Sequence, residues 1–265
     1  MRFSAYMVIK DDAYYVDMAL KSILPYIEGI YIQDQGSSDG TVDVIKSCPY
    51  QEKIVLEVEE DLRNIPRFHS ELYDEVYYRN KALVRAEEIF STDFICKFDA
   101  DELVTPLLFK KIANVSGDVR SICVEESRFI SKNLVSADNE TYGVLRDGRL
   151  YCGGHILFWS AGRGIKYVRN PAFSNSFHPI LAPDPHPQVW IPGITHIHLH
   201  RTFGPKALDF WREGGDEFGN EFPFNARVMA PKWFHARENL GTAVKVDFDW
   251  PEYVLEKWQK FGIWE

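Results

Sequence analysis

Asp99-Ala100-Asp101-Glu102 puts three carboxylates within four residues, directly after the mostly apolar run Phe94-Ile95-Cys96-Lys97-Phe98. Two aspartates one residue apart offer hard oxygen donors, the kind that hold Mg²⁺ or Mn²⁺ and so neutralise a diphosphate. A short apolar run ending in a polar break reads as a buried strand. Such a strand would deliver Asp99 and Asp101 to the carboxyl edge of a sheet, where open α/β sheets bind their ligands. Spacing alone is weak evidence, because Asp247-Phe248-Asp249 repeats it and an Asp pair can simply end a strand.

Two further groups of residues could do chemistry. His196, His198 and His200 alternate with apolar residues, so on a strand they share one face. Steps of two residues cover about 6.6 Å and of four about 13 Å. One metal can therefore take one of these histidines, or two neighbours that lean together, but not all three. No Cys or carboxylate at ligand spacing accompanies them, which argues against a separate zinc site. Arg79, Lys81 and Arg85 form a local basic cluster suited to phosphate.

Composition narrows the classes. With 265 residues the chain suits one large domain or two small ones. A formal charge of −9 argues against a general nucleic-acid binder, which normally needs a basic footprint. Cys48, Cys96, Cys123 and Cys152 form no Cys-x-x-Cys pair, as expected of a reducing, cytoplasmic setting. Met7-Val8-Ile9 runs at once into Lys10-Asp11-Asp12, unlike a signal-peptide core. No apolar run approaches the ~20 residues of a membrane helix. The expectation is a soluble protein, with peripheral membrane contact left open.

The positioning elements follow from periodicity. Strands are expected at Ser4–Ile9, Gly29–Asp34 and Ile54–Val58, alternating with helices from Ala13 to Leu24, where Pro25 stops the pattern, and around Val42–Ile45. This alternation implies parallel crossovers and a nucleotide-binding half-fold. Glu75–Phe90 reads as a helix with Val76, Ala82, Leu83, Ala86 and Ile89 on one face and Arg79 and Lys81 off it. Pro106–Ile112 reads as a helix and Ser121–Glu125 as a strand. From Arg128 to Pro192 the pattern changes to short strands and turns. The tail shows helices near Pro205–Arg212 and Pro251–Phe261. The whole is expected to be one α/β domain: a nucleotide-sugar half over about 1–115, an acceptor half over about 116–205 and a helical extension over about 206–265.

Four segments occur in an order that resembles family 2-like glycosyltransferases of the GT-A fold. They are Val8-Ile9-Lys10-Asp11-Asp12, Ile32 to Thr41 with its Gly36-Ser37-Ser38-Asp39-Gly40-Thr41 turn, Tyr78-Arg79-Asn80-Lys81-Ala82, and Phe98-Asp99-Ala100-Asp101-Glu102. The similarity covers roughly residues 4 to 110. It implies a Rossmann-like, mixed but mostly parallel sheet flanked by helices. It also implies that Lys10, Asp12, Asp34, Arg79 and Asp99 contact a nucleotide-diphosphate sugar, UDP-linked by preference. The family usually has Asn-Glu where this chain has Asp11-Asp12, which shortens that contact. Asp39 is assigned to helix capping.

The same resemblance makes Asp101 the direct ligand of Mn²⁺ or Mg²⁺, with Asp99 beside it, and adds a late histidine: His198, with His196 as substitute. Glu102 would support them from behind or pair with a cation. An inverting transferase also needs a base for the acceptor hydroxyl. Asp184, Asp147 and His178 are candidates, since no His-Glu or Glu-Asp pair lies between Gly164 and Trp190. The acceptor implied is a glycan or lipid-linked saccharide. Two alternatives stay open: a sugar-phosphate nucleotidyltransferase, which would use a Gly-rich basic loop not seen before Gly29, and a non-catalytic nucleotide-sugar-binding module.

Overall fold

The computed structural model describes residues 1–65, 73–131, 134–137, 144–146, 149–151, 155–169, 180–182, 188–199, 243–245 and 252–260. The first half alternates strands and helices: β1 (Phe3–Ile9), α1 (Val16–Ile23), β2 (Gly29–Asp34), α2 (Thr41–Lys46), β3 (Ile54–Val58), α3 (Glu75–Ile89) and β4 (Phe94–Lys97). Then come β5 (Glu102–Val104), α4 (Pro106–Ile112), β6 (Ser121–Ser131) and β7 (Leu134–Ala137). Two hairpin-like pairs, β8 (Val144–Arg146) with β9 (Arg149–Tyr151) and β11 (Lys166–Val168) with β12 (Ile180–Ala182), flank β10 (His155–Ser160) in sequence. The long β13 (Gln188–His198), β14 (Ala243–Lys245) and a helix over Glu252–Lys260 follow.

The expected α/β class holds. β3, β2, β1 and β4 lie side by side and run parallel. β10 joins β4 antiparallel and links the parallel half to β6. β13 then runs parallel to β6 and antiparallel to β5, so one ten-stranded mixed sheet carries both halves.

β1 explains why the first strands read as continuous apolar runs. Ala5, Met7 and Ile9 pack into a core with Val16, Ala19, Leu20 and Ile23 of α1. Tyr6 and Val8 point the other way, onto Ala82, Leu83 and Ala86 of α3. A strand covered by helices on both faces has no polar side to show. Each such buried aliphatic side chain contributes about 1.5–3 kcal/mol.

Some boundaries differ from expectation for local reasons. α1 ends at Ile23, and Leu24–Tyr26 continues as a 3-10 turn with Pro25 in its first turn, where the missing N–H costs nothing. Ile89 is 37% exposed rather than buried; Phe90, one residue on, packs against the α3 core instead. β5 has no counterpart among the expected elements, and its three residues are ordered by pairing with β13. Residues 243–245, expected within a helical extension, pair as a strand with β7. The expected helix at Pro205–Arg212 lies outside the described residues.

Candidate active site

β1 has β2 on one side and β4 on the other, so the chain's crossovers reverse direction beside it. The carboxyl ends flanking such a reversal are where α/β sheets bind ligands. Asp11 and Asp12 follow β1, residues 35–40 follow β2, and Phe98–Asp101 follow β4. Three of the four segments quoted above therefore meet at one edge.

The turn after β2 is knitted to the end of β1. Asp34 is fully buried, and its carboxylate accepts from the Ser37 N–H at 2.8 Å and the Ser37 hydroxyl at 2.5 Å. The expected base acceptor is thus engaged in shaping its own turn. Asp39 accepts from the Thr41 N–H at 3.0 Å, the Thr41 hydroxyl and the Ala13 N–H at 3.1 Å; it precedes Gly40, which stands at the N-cap of α2 in its place, and braces the turn against the start of α1. Asp11 adopts a left-handed φ of 52° and accepts from the Ser38 N–H at 2.7 Å. Asp12 is buried; its carbonyl opens α1 by accepting from Tyr15 and Val16, each at 3.0 Å.

Lys10 differs from expectation. Its ammonium donates to the carbonyls of Leu62, Arg63 and Ile65 at 2.7, 2.9 and 2.8 Å. An ammonium has three donors, so Lys10 anchors the 60–65 segment rather than presenting those donors to a nucleotide. Gly36 lies against that segment with φ +72°, and a Cβ there would come within 2.8 Å of the Arg63 backbone.

The acidic turn is closed reciprocally. The Glu102 N–H donates to the Asp99 carbonyl at 3.2 Å, and the Asp99 N–H donates to Glu102 Oε2 at 2.9 Å. Asp99 Oδ2 accepts from the Lys97 ammonium; the two side chains are 25% and 13% exposed. Burial works against the Lys97 charge, as does Arg79, yet Asp99, Glu102 and Tyr167 outweigh them and raise its pKa.

Arg79 is largely buried, not solvated. It donates to Glu75 at 2.5 Å and sits 5.4 Å from the centre of the Tyr167 ring. Burial opposes its charge, but Glu75 and Asp99 raise its pKa well above the usual value. Asn80 fixes this neighbourhood by exchanging two hydrogen bonds, 2.9 and 2.8 Å, with the Tyr167 backbone. The basic cluster does not form one pocket. Lys81 pairs with Glu59, and Arg85 with Glu88 and Glu57, because positions 81 and 85 leave α3 on a different side from 79.

The late strand reaches the same turn. His198 stands in register with Glu102, and the Leu199 N–H donates to the Asp101 carbonyl at 2.8 Å. His196 is fully buried with its Nε2 3.6 Å from Glu102 Oε2, which places it behind the turn. The His198 side chain, His200, Asp184, Asp147 and His178 lie outside the described residues. Among the described residues no group of three or more His, Cys, Asp or Glu side chains is arranged around a metal position. Two carboxylates in one turn are hard oxygen donors, the chemistry a cation needs if it takes its remaining ligands from phosphate and water. Cys96 is buried, and burial pushes its thiol well up, so it offers no nucleophile.

Lys97, Glu75 and Tyr167 are absent from the sequence expectation. A lysine inside an apolar strand is a signal in itself, since lysine is almost never buried unpaired. Glu75 and Tyr167 carry no comparable signal.

No family model matches the chain, and no curated protein matches it. Among solved structures, S. aureus TarS 1-349 in complex with UDP-GlcNAc matches at TM-score 0.37 and 16% identity, over 55% of this chain and 37% of that one. Glucosyl-3-phosphoglycerate synthase from Mycobacterium tuberculosis, with Mn²⁺ and UDP-glucose, matches at TM-score 0.33 and 16% identity, over 47% and 43%. The chain spans less than half the length of either. Likenesses this partial carry no functional argument. Among the described residues no helix is long and apolar enough to cross a membrane.

Proposed function

We propose that the chain is a family 2-like glycosyltransferase that moves a sugar from a nucleotide-diphosphate sugar, UDP-linked by preference, to a glycan or lipid-linked saccharide, with inversion. The observation that supports this most is the Asp99–Asp101 turn at the reversal of strand order, held by Glu102 and met by the late strand at Asp101. A nucleoside diphosphate needs a crevice for its base, cationic or metal neutralisation for its phosphates, and a wall for the acceptor. The β1 and β2 turns line the first, Arg79 and Lys97 flank the second, and β13 borders the third.

Asp101 and Asp99 would hold Mn²⁺ or Mg²⁺, and His198, whose backbone pairs with Glu102, would be the further ligand. When bound, that ion supplies neutralisation of the charge developing on the leaving diphosphate. The residues themselves do the rest. Glu102 fixes the turn, Glu75 and Tyr167 orient the Arg79 guanidinium, and Asp39 and Asp11 hold the nucleotide-side turn in shape. Such preset groups cost no reorganisation during reaction. Asp184, Asp147 and His178 stay the candidates for the base that deprotonates the acceptor.

Incubation of the full chain with Mn²⁺, a panel of nucleotide sugars and saccharide acceptors tests the proposal. Release of nucleoside diphosphate is the expected result. Release of pyrophosphate from a nucleoside triphosphate and sugar phosphate would mark a nucleotidyltransferase, and binding without turnover a binding module.

A further inference from the structure

Five acidic and basic side chains converge at the acidic turn: Glu75, Arg79, Lys97, Asp99 and Glu102. Arg79 is matched to Glu75, and Lys97 to Asp99, while Glu102 takes the Asp99 N–H and faces His196. The Lys97 side chain is only 13% exposed. Its charge is tolerable there because Asp99 supplies the opposite one; a buried ammonium deprived of its carboxylate is strongly unfavourable. A divalent ion drawn to Asp99 meets the same carboxylate already in use. Sharing that carboxylate would set two positive charges within a few ångströms of each other, with Arg79 adding a third nearby.

A diphosphate changes this balance. It brings enough negative charge to satisfy both the ion and the released ammonium, which a carboxylate pair alone does not. We propose that Lys97 clasps Asp99 so that the site takes a divalent ion weakly by itself and firmly only together with a nucleoside diphosphate. Lys97 is thereby a positioning residue that couples the two binding events, and it moves from Asp99 toward the phosphates when they arrive. By reciprocity, the factor by which diphosphate tightens metal binding equals the factor by which metal tightens diphosphate binding. The inference rests on the metal-dependent reading above.

Titration of the full chain with Mn²⁺ alone, followed by the electron paramagnetic resonance signal of free Mn²⁺, reads the clasp without any turnover. Lys97→Met should bind Mn²⁺ about tenfold or more tighter than wild type, within the usual range of coupling between sites. Lys97→Arg, which keeps the charge, should stay weak. Lys81→Met, which removes from the same helix as Arg79 a positive charge paired with Glu59, should leave Mn²⁺ affinity near wild type, which separates release of Asp99 from a general loss of positive charge. With UDP present, and after correction for the Mn²⁺–UDP complex in solution, the gap between wild type and Lys97→Met should close. Lys97→Gln replaces Lys97→Met if the latter does not fold. Wild type that takes up Mn²⁺ with UDP, but whose affinity for Mn²⁺ alone is unchanged by Lys97→Met, would overturn the clasp and leave the metal-dependent reading standing. No uptake of Mn²⁺ by any variant, with or without UDP, would overturn both.

Discussion

His196 Nε2 stands 3.6 Å from Glu102 Oε2 with both side chains buried, and the same carboxylate oxygen accepts the Asp99 N–H at 2.9 Å. One oxygen thus caps the acidic turn and faces the late strand. Leaving a partly buried N–H without its acceptor costs about 1–3 kcal/mol. Glu102→Ala should therefore lower stability by about that amount. Glu102→Gln keeps an oxygen for the Asp99 N–H and should cost less. Urea denaturation of the two variants checks this, and equal losses would show that the acceptor oxygen is not what matters.

Gly36 and Gly40 both take positive φ, +72° and +93°, but only Gly36 is crowded. An alanine at either pays for the left-handed backbone, roughly 1–2 kcal/mol. At Gly36 the new methyl also meets the Arg63 backbone, which is held by Lys10 and cannot step aside cheaply. Gly36→Ala should be clearly the more destabilising of the two in thermal melts. Similar melting temperatures for both variants would mean that the 60–65 segment yields.

Asp101→Ala should abolish Mn²⁺-dependent UDP binding while keeping the main-chain bond from the Leu199 N–H to the carbonyl of residue 101. His198→Ala should weaken metal affinity less. Isothermal calorimetry with UDP and Mn²⁺ measures both. Unchanged affinity in Asp101→Ala would remove it from the metal position.

The parallel half was legible because its signals are local. β1, β2 and β4 are apolar runs that end at polar residues, and Ala82, Leu83 and Ala86 repeat at helical spacing. The tight turn through Gly36 and Gly40 followed from one motif, and both take positive φ. What escaped depends on distant partners. β5 is three residues long and exists by pairing with β13, some ninety positions later. Lys10 looked like a ligand contact because its partners, three main-chain carbonyls, have no side-chain signature. Arg79 was read as a nucleotide contact on the polar side of a helix; Tyr167, which covers it, comes from a strand whose sequence gives no hint of that packing.

Lys10 makes a prediction about motion. With three charge-assisted bonds to Leu62, Arg63 and Ile65, it should keep the 60–65 segment closed over Gly36. Hydrogen bonds from a charged group contribute about 1.5–3 kcal/mol. Losing about 2 kcal/mol of local stability corresponds to roughly 30-fold faster amide exchange where opening is local. Lys10→Met should show that acceleration at the Leu62, Arg63 and Ile65 amides, which bond within the segment, and little change in β1. Hydrogen-exchange mass spectrometry with short peptides resolves it. Uniform acceleration across the chain would instead mark Lys10 as a global stabiliser.

Glu59 gives the chain a pH-dependent fastening between α3 and the carboxyl ends of β2 and β3. Its carboxylate accepts from Lys81 and, at 3.0 Å, from the Gln33 amide. The Lys81 hydrogen bond is the main reason its pKa is lowered from the ordinary 4.5; partial burial opposes the shift, and Gln33 and the Lys81 charge add to it. A carboxylate whose folded pKa is depressed contributes stability that is complete above its unfolded value and disappears as pH falls through the folded one. The contribution is thus present at neutral pH and fades below about pH 4.5. Both side chains are partly exposed, 31% and 24%, so solvent screening keeps the term at about 1 kcal/mol or less. Lys81→Met should therefore lower the urea midpoint at pH 7 but converge with wild type near pH 3. Urea midpoints taken from pH 7 to pH 3 at low salt test the sign as well as the size. Parallel curves for the two proteins would show that Lys81 acts through packing of its methylene chain, with no part played by the Glu59 charge.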